Sequence, residues 1–224
     1  LSSDIIFWLS LAALLRLGTW PLHGNYLSWE GALLALCTGG CLWLRLAPVL
    51  ATTTLPALAA LGSMVLLATS LLAASAPRSP LPYVFFHGVT TVIVAPLCDA
   101  ALGSLVALVS IVNLGLCLGV LRLDRRLPAL LPRGWSRLPG RVALASLAGF
   151  PLTLGFVSHV GLLRLYSQVD GRALVIASLS LLLLAVPLWR RWLYPEPSPA
   201  REKPHSWSDW LPFASACLMI VGVV

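Results

Sequence analysis

Residues 147–159 read Leu-Ala-Gly-Phe-Pro-Leu-Thr-Leu-Gly-Phe-Val-Ser-His. The run joins a helix breaker, Pro151, to two conformationally permissive glycines, Gly149 and Gly155, and then to a titratable ring, His159. All lie in an apolar stretch long enough to cross a bilayer. A helix interrupted at that depth leaves backbone N–H and C=O groups without partners, and it survives only where protein or water satisfies them. An imidazole ordinarily titrates near pH 6.5 (about), so beside such a break it suits the uptake and release of a proton. The plainer alternative is a structural histidine bonded to a freed backbone carbonyl.

Other candidates are few. Arg16 lies in the apolar run DIIFWLSLAALLRLGTWPLH, followed by Gly18 and Pro21, so a second interrupted helix is expected near Pro21. A guanidinium near mid-membrane costs about 2.5–3.5 kcal/mol on insertion scales, so it should face protein or water with an acidic partner. The alternative is an arginine snorkelling to the interface. It stays charged at any accessible pH, so it sets a potential but cycles no proton. His87 lies four residues past Tyr83 without a charged neighbour in sequence. It reads equally as a hydrogen-bonded core residue or as a member of an internal water chain. His23 reads as an interfacial histidine, and His205 sits in a polar stretch. Glu30, at the start of an apolar run, is the one carboxylate expected near membrane depth. No Ser/His/Asp set, phosphate-binding glycine loop, CxxC pair or paired carboxylates occur, which argues against chemistry on an organic substrate. Cys37, Cys41, Cys98, Cys117 and Cys217 all lie in apolar runs and read as small packing residues, with no metal site.

The elements that must hold these residues are membrane helices. Of 224 residues, 58% are hydrophobic and 10% charged, with mean hydropathy +0.90, whereas soluble domains carry about 25% charged residues. The composition gives one transmembrane domain over 1–224, an all-α polytopic bundle of about eight spans. They fall near 4–20, 28–47, 54–75, 83–98, 100–121, 142–163, 173–190 and 208–224. The fourth is short, and the break between fourth and fifth is expected at Pro96 to Asp99. Loops 76–82, 122–141 and 191–207, with 21–27 and flanking residues, collect eleven of the fifteen basic residues. The opposite side has three, so the first side is cytoplasmic. The net charge of +7 is therefore a topology signal; a basic face for nucleic acid is absent. The basic loop 122–141 carries three prolines and leucines among its arginines, which suits a loop on the lipid surface. Residues 191–207 read as a polar linker. Leu1 opens almost directly on a spanning segment, and the chain reads as an internal piece of a longer protein.

The phrase LAGFPLTLGFVSH resembles the broken helix of the antiporter-like membrane subunits of complex I (NADH:quinone oxidoreductase), which is shared with Mrp-type cation/proton antiporters. In that family a Leu-Ala-Gly, a hydrophobe and a proline precede Gly-Phe and a lysine; His159 takes the lysine position. RLGTWPLH is similar to a family phrase with a lysine five residues before Pro-hydrophobe-His, so Arg16, Pro21 and His23 fall on those positions. CTGGCLWLR at 37–45 resembles the family's Thr-Ala-Gly span, and Arg78 to Tyr83 resembles its basic residue five before a tyrosine. The order of the four agrees over nearly the whole chain. The departures are specific. The stretch after His23 lacks the family's Trp-Leu-Pro-Asp phrase, the second span has no mid-membrane lysine or histidine, and Asn113 stands where the family often has a lysine. The acidic partner of Arg16 would lie ahead of Leu1.

The resemblance implies a proton-translocating (or cation/proton) subunit of a redox-driven or antiport complex in a bacterial inner membrane. Its partners would be other membrane subunits and the lipid bilayer, not nucleic acid. NADH and quinone would be met only by partner subunits, and this chain would carry no cofactor or redox chemistry of its own. His159 would be the titrating element, with His87, Asn113 and Glu30 as polar relays and Arg16 as a fixed charge. Two other readings stand beside it. One is a degenerate, non-pumping scaffold subunit, suggested by the missing lysines. The other is an unrelated small-solute transporter, for which Thr153, Ser158 and His159 form a thin polar set.

Overall fold

The computed structural model describes residues 3–17, 29–50, 55–76, 80–123, 138–193, 214–215 and 217–218. Eight helices are described: α1 (Ser3–Arg16), α2 (Trp29–Leu50), α3 (Leu55–Ser75), α4 (Leu81–Cys98), α5 (Leu102–Leu123), α6 (Leu138–Leu147), α7 (Leu154–Val169) and α8 (Gly171–Leu193). Among the described residues there is no strand. Among the described residues three helices are long and apolar enough to cross a bilayer: Leu81–Cys98, Leu102–Leu121 and Gly171–Leu193, of 18, 20 and 23 residues. At 1.5 Å per residue these lengths match a hydrocarbon core of about 30 Å. They point to a membrane protein.

The eight helices are not the eight expected segments. Segments one to five correspond to α1–α5 and the seventh to α8, while the sixth, 142–163, is two helices, α6 and α7. The expected eighth segment, 208–224, falls almost wholly outside the described residues. So do the expected break at Pro21, residues 77–79 of the expected loop 76–82, and most of 122–141 and 191–207. The turn between α4 and α5 lies a little later than its expected place at Pro96 to Asp99, because Pro96 is accommodated inside α4. There the Asp99 carboxylate Oδ1 accepts from the Leu102 N–H at 2.6 Å, and starts α5.

The polarity is that of a body immersed in lipid. Large apolar side chains stand outside: Leu182 is 68% exposed, Val175 67% and Trp8 64%. Polar side chains are inside: His87, Asn113, Ser110, Ser146, Ser158, Ser70 and Thr91 are all buried. Hydroxyls on the helices are satisfied at home, for example Ser110 Oγ to the Val106 carbonyl at 2.7 Å and Thr90 Oγ1 to the Phe86 carbonyl at 2.9 Å. α4 and α5 form the centre. α3 and α2 pack against α4, and α7, α6 and α2 pack against α5. The Trp43 indole N–H donates to the Ile93 carbonyl at 3.0 Å and ties α2 to α4. Cys37 and Cys41, expected as packing residues, lie instead on the exposed side of α2, on a surface where a small apolar thiol faces lipid as readily as protein.

Helix–helix approach depends on glycine. In lipid, association rests on close van der Waals contact, which small residues permit. A Cβ on Gly103 would collide with the Ala95 carbonyl of α4, a backbone atom that cannot step aside, whereas a Cβ on Gly119 meets nothing within 4 Å. Gly103→Val should therefore destabilise the protein in detergent by about 1–3 kcal/mol or prevent folding. Gly119→Ala should be neutral or stabilising by up to about 1 kcal/mol. Denaturant midpoints of the two variants measure both, and equal midpoints would count against the packing described.

Candidate functional site: a polar cavity beside a broken helix

The break between α6 and α7 is built from short-range rules. α6 closes in a Schellman motif: the Gly149 N–H donates to the Ser146 carbonyl at 3.1 Å and the Phe150 N–H to the Ala145 carbonyl at 2.9 Å. That closure needs a left-handed residue, and Gly149 supplies it at φ 72°. Pro151 follows two positions later and prevents resumption of the helix. Leu152 is then forced to φ 68°, a strained value for a residue with a Cβ. Thr153 restarts the chain as the N-cap of α7: its Oγ1 accepts from the Phe156 N–H at 3.4 Å and donates to the Phe150 carbonyl at 2.7 Å. The backbone groups freed by the break thus find partners inside the protein.

Side chains of α5 hold the two halves. The Ser146 hydroxyl at the end of α6 donates to Asn113 Oδ1 at 2.6 Å and accepts from the Gly155 N–H of α7 at 3.2 Å. One turn earlier on α5, Ser110 Oγ meets Ser158 Oγ of α7 at 2.5 Å. Gly155 is obligatory, because a Cβ there would run into the Ser146 carbonyl. Gly149 is constrained twice, since its missing Cβ also leaves the space in which His159 Nδ1 lies.

Against this joint lies a cavity of about 20 Å³, lined by His87, Thr91, Ser110, Asn113, Ser158 and His159, with Gly88, Val84 and leucines closing it. That volume holds about one water molecule, and a water needs two to four polar partners, which this lining offers. His87 enters from α4. Its Nδ1 is 3.1 Å from Ser70 Oγ, 3.3 Å from the Leu66 carbonyl and 3.4 Å from Thr69 Oγ1. Both hydroxyls already donate to that same carbonyl, at 2.8 and 2.9 Å, so they turn lone pairs to the ring. The neutral ring therefore carries its proton on Nδ1, where three acceptors surround it. Nε2 is left as a bare acceptor, and it is buried with no hydrogen-bond partner. A bare imidazole nitrogen in a residue lining a water-sized polar cavity is what an ordered water satisfies.

The expected site residues divide clearly. His159, His87 and Asn113 come together at the cavity, and Gly149, Pro151 and Gly155 form the break beside it. Arg16 does not line the cavity. It ends α1 with an exposed side chain, its Cβ against Gly39 of α2, and no acidic residue among the described ones pairs with it. Glu30 lies in the first turn of α2, and its side chain is outside the described residues, as are Pro21 and His23. Residues not singled out from sequence are Ser70, Thr69, Ser110 and Ser146. Their signal was present: each hydroxyl interrupts an apolar run that lipid-facing residues would fill. Among the described residues no group of three metal-ligating side chains occurs.

Ser146→Ala should strand the buried Gly155 N–H and leave the Asn113 side-chain oxygen with only the weak Cys117 S–H donor at 3.6 Å. A cost of about 1–3 kcal/mol is expected in equilibrium unfolding from mixed micelles. Ser178→Ala, which removes only a bond to the Leu174 carbonyl within α8, should change it by less than about 0.5 kcal/mol. No family model matches the chain, and no curated protein matches it.

Proposed function

We propose that this chain conducts protons as a membrane subunit of a larger assembly. The assembly would be a redox-driven complex resembling NADH:quinone oxidoreductase or an Mrp-type cation/proton antiporter, in a bacterial inner membrane. About eight crossings, with the basic loops cytoplasmic, complete that reading. The partners are the other membrane subunits. NADH and quinone react on those subunits, and this chain contributes a path and no redox centre.

One observation carries the reading: two histidines from different helices, His87 buried and His159 half-buried, line one water-sized polar cavity beside a helix break. A proton taken up by His159 passes through a cavity water to His87 Nε2. His87 then releases its Nδ1 proton to the Ser70 or Thr69 hydroxyl, while that hydroxyl gives its own proton, held at rest on the Leu66 carbonyl, to a further water. Ser110, Ser158 and Asn113 orient the water and do not titrate. The transfer balances at each step: one N–H or O–H bond forms as another breaks, and the rings return to their starting tautomer by rotation or by the reverse relay.

The exposure of Arg16 favours a second reading. A fixed charge that does not reach the cavity leaves the relay without its bias, as in a scaffold subunit that has lost pumping. Proteoliposomes of the parent complex separate the two. For a conductor, His159→Gln and His87→Gln each lower proton uptake by about tenfold or more while assembly persists. His159→Lys retains part of the uptake. Unchanged pumping in the double variant His87→Gln with His159→Gln would leave the scaffold reading.

A further inference from the structure

A second concavity lies on the outer side of the break, away from the histidines. It is a groove of about 270 Å³ between α6 and the last turns of α8. Its floor includes Ala145, Ala148 and Leu188, and its wall is a ladder of rings. Trp192 stacks on Trp189 at 5.0 Å and 17°, and Trp189 stacks on Phe150 at 5.9 Å and 10°. The Arg141 guanidinium sits over the Trp192 ring, its Cζ 5.5 Å from the centroid. Arg141 is in the first turns of α6 and Phe150 just past its end, so the ladder leads from a cation to an apolar terminus over about 13 Å.

The cation is incompletely served. Arg141 Nε is buried with no hydrogen-bond partner, and among the described residues no carboxylate pairs with the guanidinium. Arg141 as a whole is half-buried, and a partly desolvated charge is best kept where a counter-charge and hydrogen-bond acceptors meet it. The charge complementarity therefore asks for an anion at Arg141, and the remainder of the groove asks for hydrocarbon. A soluble anion would leave the ladder bare. Arg190, exposed beside Trp189, adds positive potential at the same end of α8.

We propose that this groove binds one anionic phospholipid, its phosphate on Arg141 and one acyl chain along Trp192, Trp189 and Phe150. The site is independent of proton conduction, but it grips both α6, through Arg141 and Ala145, and the break, through Phe150. The lipid therefore props the outer side of the joint whose inner side faces the cavity.

The test uses the full chain in phosphatidylcholine vesicles doped with brominated phosphatidylglycerol or, separately, brominated phosphatidylcholine, and reads quenching of tryptophan fluorescence. The expected result is tighter apparent association of the glycerol lipid by about fivefold, the factor one interfacial basic residue supplies. Arg141→Gln should bring the ratio close to one, Arg141→Lys should retain most of it, and Arg190→Gln should leave most of it. Trp189→Phe combined with Trp192→Phe should remove the selective component of the quenching, although seven of the nine tryptophans remain. Equal quenching by the two brominated lipids in the unaltered chain overturns the proposal without any variant. A preference that survives Arg141→Gln, or that is lost with Arg190→Gln instead, also overturns it.

Discussion

The Ser146 hydroxyl is the point on which the break depends. It closes a three-way contact: it donates to Asn113 of α5 and accepts from the first-turn N–H of Gly155 in α7. Either bond alone would fix one half of the interrupted helix, and together they fix the angle between halves. The 20 Å³ cavity lies beside that joint; Gly149 leaves the space in which His159 Nδ1 lies, and Gly88 lets Leu114 of α5 come close to α4. Small residues and hydroxyls, not large side chains, thus determine the shape of the polar interior.

That interior inverts the arrangement of a water-soluble core. Hydrocarbon outside removes the driving force that would bury Leu182 or Val175, and it makes any polar side chain seek the inside. Buried polar residues then have a double task. They join helices that the solvent does not push together, and among the described residues they line a cavity where a water fits. His87 does both: Nδ1 fastens α4 to α3 through Ser70, and Nε2 remains open to chemistry.

Much of this was legible in the sequence because the rules involved are local. Helical class and most segment positions follow from the lengths of apolar runs. The break follows from Gly149, Pro151 and Gly155, whose backbone demands do not depend on distant residues. The meeting of His87 with His159 was not legible, since 72 residues of chain separate them and only helix packing brings them to one cavity. Nor was the splitting of the sixth segment into two separately capped helices: a hydropathy window sees Leu152 as another apolar residue, while its φ of 68° marks the floor of a turn. Nor was the facing of Arg16 legible. Charge within an apolar run suggests an interior position, but rotation about the helix axis decides which way the side chain faces, and α1 turns it outward.

If the chain conducts as proposed, the size of the inner cavity also bears on what would pass. A space for about one water has no room for a metal cation that must bring, or exchange, a full shell of oxygen ligands. An excess proton needs no such room, because it travels as a shift of bonds and leaves every heavy atom nearly where it was. Under the proposed function the selection would be one of bulk, set by how closely Gly88, Gly149 and Gly155 let the helices approach.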